Sequence, residues 1–383
     1  MHPEPAAPDT QETVHVSLAR FTLYFLRLGA TGFGGPIALA GYMQQTLVEE
    51  RRWISRQDYV DGLALAQLAP GPLAAQLAMY LGFVRGGVLG ATLVAIAFVL
   101  PSFLMVWAIS VAYVAYGGLP WMQAVFYGVG AAVIGIIARS AYKLTRLTLK
   151  RSALLWTIFA VVAVATAWAG REILWLFLVA GLVPLAVRRR NAIAMLGLLP
   201  AAAAQTDAAA AGSLAGLLWF FSKAGAFVFG SGLAIVPFLY GGVVQDHHWL
   251  NDRQFLDAVA VAMITPGPVV ITVAFIGYLV AGAPGMIAAA VGVFLPVYLF
   301  VVIPAPYFRR YGGNETIKAF VEGVTAAASG AIAGAVLVLA RGAFVDVWTT
   351  MIGVAALLIL MRWRISELWL IGASALAGLL LRG

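Results

Sequence analysis

Two copies of one short phrase, Leu68-Ala69-Pro70-Gly71-Pro72 and Ile264-Thr265-Pro266-Gly267-Pro268, interrupt segments that are otherwise strongly apolar. The prolines remove backbone donors and the glycine between them frees φ, so a continuous helix cannot persist there. At membrane depth, the backbone groups left unpaired are tolerated only where protein or a water-filled cavity satisfies them. Each phrase is preceded by a basic residue and a glycine-rich break: Arg27, Gly29, Gly32 and Phe33-Gly34-Gly35-Pro36 in one case, Lys223, Gly225 and Phe229-Gly230-Ser231-Gly232 in the other. Exposed N–H groups, the positive end of a restarting helix and a full cation together suit an anion. The competing reading is glycine for close helix packing, with Arg27 and Lys223 snorkelling to an interface. Gln67, Gln76, Thr265 and Thr272 add uncharged hydrogen-bonding groups around the two phrases.

Three carboxylates are candidates for carrying a coupling proton. Asp61 and Asp257 stand at the same spacing before Pro70 and Pro266, and Glu322 lies inside the apolar run Ala319–Ala340. A carboxylate that enters a membrane is costly and is a functional candidate by default. Each also has a structural reading: Asp61 and Asp257 as helix caps beside Arg56 and Arg253, Glu322 as a partner of Lys318. Arg85 reads as an inside anchor or as lining a mouth, and Trp53 and Trp249 read as interfacial anchors. The adjacent His247 and His248 would face apart on a helix, which does not suit a metal. With no cysteine and only four histidines, disulfides, Fe–S clusters and thiolate metal sites are excluded, and no cofactor is expected. A phosphate-binding Gly-x-x-x-x-Gly-Lys-Ser/Thr loop, a His-Glu-x-x-His pair and a catalytic cysteine are all missing, so an enzyme is not expected.

The elements that must position these groups follow from composition. Of 383 residues, 62% are hydrophobic and 10% charged, with mean hydropathy +0.94; too few charges remain to cover a soluble surface. Long uninterrupted apolar runs exclude a β-barrel, and the 41 glycines suit closely packed transmembrane helices. The chain therefore reads as an all-α polytopic membrane protein. The formal charge of +8 fits basic cytoplasmic loops and is weak evidence for an anionic partner. The polar start lacks the basic region of a signal peptide, so the first apolar stretch reads as retained.

Comparing the chain with itself is the most informative step. One constant shift aligns Phe25 with Phe221, Arg27 with Lys223, Gly29 with Gly225, Trp53 with Trp249, Asp61 with Asp257 and Pro70-Gly71-Pro72 with Pro266-Gly267-Pro268. After a one-residue deletion the alignment continues through Gly82 with Gly277, Gly90 with Gly285, Pro101 with Pro296, Gly128 with Gly323 and Gly135 with Gly330. The organisation read from this is a polar tail over 1–19, a membrane repeat over 20–190, an Ala-rich connection over 191–213 and a second membrane repeat over 214–383. Counting the Pro-Gly-Pro segments as broken or re-entrant leaves about five crossings per repeat. An odd number makes the two repeats inverted, as in many secondary transporters. The basic loop at Arg51, Arg52 and Arg56 falls inside under this scheme, while the loop at Asp246, His247, His248 and Asp252 lies outside. Both termini then lie outside, and 192–211 becomes an interfacial stretch.

The run Gly32-Phe33-Gly34-Gly35-Pro36, then Glu49-Glu50-Arg51-Arg52-Trp53, then Gln67 to Pro72 with Tyr80-Leu81-Gly82, resembles the chromate ion transporter family, long two-domain type. Phe229-Gly230-Ser231-Gly232 and Thr265-Pro266-Gly267-Pro268 resemble that family's C-terminal half. The resemblance covers nearly all of both repeats. One departure is that members often carry a histidine soon after the first Gly-Gly-Pro, where this chain has Ile37-Ala38-Leu39. The resemblance implies ion-coupled export of chromate across the inner membrane of a prokaryote, conferring chromate resistance. Chromate is a tetrahedral oxyanion and a near-isostere of sulfate, so the same residues would also suit a sulfate or other oxyanion transporter, or an anion channel. The expected partners are chromate or sulfate, a coupling proton and the lipid bilayer, with no nucleic acid. A homodimer is compatible with these residues and not required by them.

Overall fold

The computed structural model describes residues 13–33, 35–116, 119–170, 173–188, 213–227, 232, 235–308, 315–363 and 365–382. Among them every regular element is helical. The connection at 192–211, most of the polar tail and the predicted site residues Gly34, Gly230 and Ser231 lie outside the described residues.

The first repeat runs α1 (Leu18–Thr31), α2 (Gly35–Met43), α3 (Arg56–Leu68), α4 (Leu73–Tyr116), α5 (Pro120–Leu149), α6 (Ala153–Ala169) and α7 (Leu174–Arg188). The second runs α8 (Leu214–Phe227), α9 (Ile235–Tyr240), α10 (Asp252–Ile264), α11 (Thr272–Val302), α12 (Glu315–Ala343), α13 (Val347–Arg362) and α14 (Glu367–Arg382). Four helical stretches are long and apolar enough to cross a membrane: Leu73–Tyr116, Pro120–Leu149, Val269–Tyr307 and Glu315–Ala343. This is a multi-pass helical membrane protein.

Local chemistry sets the ends. Ser17, Ser55 and Ser152 cap α1, α3 and α6 by accepting from backbone N–H groups. Asn251 with Gln254, and Asp346 with Thr349, form capping boxes at α10 and α13, each satisfying two orphan donors at a helix start. The helix ends between α1 and α2, where the glycine-rich run Gly32 to Gly35 stands.

Local backbone details recur at aligned positions. Arg52 and His248 both take positive φ, at 54° and 52°, which turns Trp53 and Trp249 back over their own repeats. Trp53 is buried and packs on Phe21 and Arg51, while Trp249 stacks on His247 at 4.5 Å and meets Phe220. Arg85 likewise turns inward on the chain: its guanidinium donates to the Val16 carbonyl and meets the His15 ring, tying the end of the N-terminal tail to α4.

Both long helices beyond the Pro-Gly-Pro phrases are folded in two. α4 bends at Gly86-Gly87 and α11 at Ala281-Gly282, with φ of 59° at Gly87 and 62° at Gly282. The two arms of α4 meet so closely that a Cβ on Gly82 would lie 2.6 Å from the Gly90 carbonyl oxygen, and Gly277 meets Gly285 in the same way. Within α3, Gly62 faces Leu77 and Tyr80 on the first arm of α4. Residues 56–85 therefore form a helical hairpin with Pro70-Gly71-Pro72 at its tip. Residues 252–280 form a second, tipped by Pro266-Gly267-Pro268, with α10 packed against α11.

The two repeats interlock rather than stand side by side. α5 packs against α13 and α14 of the other repeat, through Gly128 on Ser374 and Gly135 on Gly353 and Ala356. In return α12 packs against α6 and α7, through Gly330 on Phe159 and Gly323 on Ala180. At these points only a hydrogen fits, which is how small residues let helices approach when no water is present to drive them together.

Candidate functional site

The tip of the second hairpin is held by the first repeat. The Gly267 N–H donates to the Gly32 carbonyl at 3.0 Å. Ser102, fully buried on the second arm of α4, donates its hydroxyl to the Pro266 carbonyl at 2.6 Å and reaches the Gly29 carbonyl at 3.5 Å. Gly29 is close-packed on the backbone of Phe98, and its counterpart Gly225 on that of Val293. Gly232 lies beside Val269 and Val270, just past the same tip. One tip thus meets the glycine-rich breaks of both repeats. The buried Thr265 returns its hydroxyl to the Val261 and Ala262 carbonyls, and Thr272 donates to the Val269 carbonyl at 2.8 Å.

The first tip is organised differently. Gln76, fully buried, donates to the Pro70 carbonyl at 2.7 Å, and its Oε1 is buried with no hydrogen-bond partner among the described residues. Gly71, at φ 140°, lies against Val297 of α11. Val297 aligns with Ser102, so the hydroxyl that pins one tip is replaced by a methyl group at the other. Along the arm of α3 a cleft of about 480 Å³ opens, lined by Leu65, Leu68, Pro70, Phe300, Ile303 and Phe308 among others.

The remaining predicted residues scatter. Gly35, at φ 76°, starts α2 with Pro36 half-buried beside it, and Gln67 is exposed. Arg27 is exposed, on a different side of α1 from the face that carries Gly29. Lys223 lies over the Trp219 ring at 5.5 Å. Among the described residues neither cation is hydrogen-bonded to a tip. Asp257 is 3% exposed and accepts from the Tyr113 hydroxyl at 2.7 Å, whereas Asp61 is half-buried and accepts from Gln57 at 2.8 Å. Glu322 is half-buried on α12, next to the Gly323 that packs on α7. No group of three or more metal-ligating side chains converges among the described residues.

Sequence reasoning missed Ser102 and Tyr113. The signal was present in the repeat: at the shift that aligns Pro101 with Pro296, Ser102 meets Val297 and Tyr113 meets Phe308. Each is a hydroxyl gained in one copy of an otherwise apolar pair.

Interlocked helical repeats, folded long helices and a broken-helix tip seated among glycine-rich breaks make this a multi-pass membrane protein of repeat architecture. The chain belongs to the chromate transporter family, whose family model matches it twice, over residues 19–185 and 215–379. It is 57% identical over 390 residues to the chromate transport protein of Cupriavidus metallidurans, covering 98% of this chain and 97% of that one. It is also 57% identical over 373 residues to a probable chromate transport protein of Synechococcus elongatus, covering 94% of each. To the chromate transport protein of Pseudomonas aeruginosa it is 33% identical over 404 residues, covering 98% of this chain and 96% of that one. No solved structure matches the chain.

Proposed function

We propose that this protein is a secondary active transporter that exports chromate across the inner membrane of a prokaryote and so confers resistance to it. The supporting observation is the second Pro-Gly-Pro tip, which meets the glycine-rich breaks of both repeats through Gly267 with Gly32 and Gly232 with Val269. Broken helices that meet at a repeat interface are the usual place for a substrate in inverted-repeat transporters. In this reading the repeats are inverted, with five crossings each, and the two hairpins are re-entrant, their short arms reaching only part of the way across. Arg27 and Lys223 bring charge to the approach, and hydroxyls, amides and backbone N–H groups at the breaks receive the oxygens. Alternating access is a rocking of one repeat against the other, coupled to a proton.

The Gly267 N–H is engaged by Gly32, so an anion reaches it only when the second tip separates from the first repeat. That requirement ties binding to motion. Sulfate shares the tetrahedral oxygens and is the competing substrate.

The test is transport by the purified protein in liposomes with a pH gradient imposed or collapsed. Chromate accumulating above its external concentration only while the gradient stands supports the reading. Purely downhill flux makes the protein a channel, and accumulation of sulfate with none of chromate overturns the substrate.

A further inference from the structure

The repeats share their Pro-Gly-Pro phrases and many glycine positions, yet the two hairpins are not held alike. The second is fastened to α4 at two levels. Ser102 holds its tip through the Pro266 carbonyl, and Tyr113, further along α4, donates to the Asp257 carboxylate on α10. From Ser102 to Tyr113, and from Pro266 back to Asp257, is in each case roughly 15 Å of helix. The Tyr113 ring is wedged edge-on against Phe126 of α5, with centroids at 5.4 Å, and Phe275 of α11, at 5.1 Å. At the matching positions of the first hairpin stand Val297 and Phe308, which have no hydroxyl to give. There the apolar cleft separates α3 from the end of α11, and Phe308 lines it.

Asp257 is unusual in what surrounds it. The elements packed on α10 are α4, α5, α11, α12 and α14. Among the described residues only Tyr113, from α4, and Arg253, from α10 itself, are titratable or charged groups that act on its carboxylate. Arg253 directs its guanidinium to the Gln123 carbonyl of α5 at 3.2 Å and forms no ion pair with Asp257. A carboxylate this deep, with a neutral phenol as its hydrogen-bond partner, costs a great deal when ionised, and one proton removes that cost.

We propose that Asp257 is the proton-carrying site of the transport cycle and that its bond to Tyr113 latches the second hairpin against α4. This rests on the proton-coupled reading above. With Asp257 ionised, the Tyr113 hydroxyl donates a charge-assisted hydrogen bond to Oδ2 and the hairpin is held. A proton arriving on the carboxylate turns that bond into a neutral pair, roughly half as strong. The Ser102 bond at the tip then remains between hairpin and α4. Release lets the hairpin move while the proton is aboard, so that the proton and chromate travel on separate halves of the cycle. The aligned Asp61 accepts from Gln57 on its own helix, and the residue aligned with Tyr113 is Phe308, which has no hydroxyl to donate.

Asp257→Asn and Tyr113→Phe, reconstituted as full-length protein, separate the possibilities. Two readouts are needed: chromate–chromate exchange at equal pH on both sides, and net accumulation driven by an imposed pH gradient. Asp257→Asn is expected to lose gradient-driven accumulation, and what exchange it keeps should no longer respond to pH. Tyr113→Phe is expected to move the pH midpoint of exchange. Gradient-driven accumulation retained by Asp257→Asn, or lost by Asp61→Asn alone, overturns the assignment. Should Asp257→Asn fail to fold, an unmoved pH midpoint in Tyr113→Phe overturns it just as well. Wild-type protein that exchanges chromate but ignores the pH gradient refutes the coupled reading itself, and this inference falls with it.

Discussion

Ser102 and Pro266 belong to different repeats, and the hydroxyl of one closes on the carbonyl of the other at 2.6 Å. Their counterparts, Val297 and Pro70, stand in the same relation without a bond. The difference gives each repeat a distinct mechanical state within a single conformation: one hairpin tied to its neighbour, the other bordering a cleft.

Ser102→Ala should leave the Pro266 carbonyl buried without its donor, a loss of about 1–3 kcal/mol that thermal melting in detergent would register. Because the chain has no cysteine, Thr265→Cys supplies a single thiol beside that tip. Thr265 is 6% exposed, so labelling by a maleimide should be slow in an otherwise wild-type background and faster with Ser102→Ala. Equal rates would mean that Ser102 does not hold the tip closed.

Gly29→Ala and Gly225→Ala each place a methyl group into backbone, at Phe98 and Val293. Overpacking of this kind should cost about 1–3 kcal/mol. Gly41→Ala and Gly372→Ala, where nothing lies within 4 Å of the added carbon, should be neutral or slightly stabilising. Melting temperatures of the four variants that fail to divide in this way would contradict the close helix contacts.

Gln76→Ala removes a fully buried side chain together with the donor to the Pro70 carbonyl. Loss of the hydrogen bond alone should cost about 1–3 kcal/mol. Transport should fall further than the drop in folded protein explains, since the first tip loses its internal brace. Chromate tolerance of cells at matched membrane abundance reads this directly.

Leu68→Trp directs an indole into the cleft beside α3, where about 480 Å³ stands open. The protein should still insert and fold, because the space exists, yet transport should stop if that cleft has to close during the cycle. Wild-type transport rates in this variant would show that the first hairpin does not move against α11.

Asp346 caps α13 from outside the long spans. The Thr349 backbone N–H, and after it the Tyr127 hydroxyl, hold its carboxyl below the ordinary aspartate range. A carboxylate depressed in the folded state stabilises it above the unfolded pKa, near 3.9, and that stabilisation disappears as pH falls through the lower folded value. Melting temperature in detergent should therefore fall below about pH 4 more steeply for wild type than for Asp346→Asn, which keeps a capping oxygen without the charge. Parallel curves would mean that the carboxylate contributes nothing as an anion.

Much of this protein is legible in the linear chain, because the bilayer allows so few solutions. Apolar runs this long must be helices, since every backbone group has to be satisfied within its own segment. Prolines at 70, 72, 266 and 268 must break those helices whatever packs around them. The repeat is read from self-comparison, and one family model matches the chain over two regions. What the sequence could not express is which copy each residue would touch. Nothing local indicates that α5 packs on α13 and α14 of the other repeat, or that Ser102 reaches Pro266 instead of its own hairpin. Those pairings depend on how two similar surfaces interlock across a long separation in the chain. The hydroxyls of Ser102 and Tyr113, set against Val297 and Phe308 in the aligned copy, become decisive only once the tertiary structure sets each beside a buried acceptor with no water to replace it.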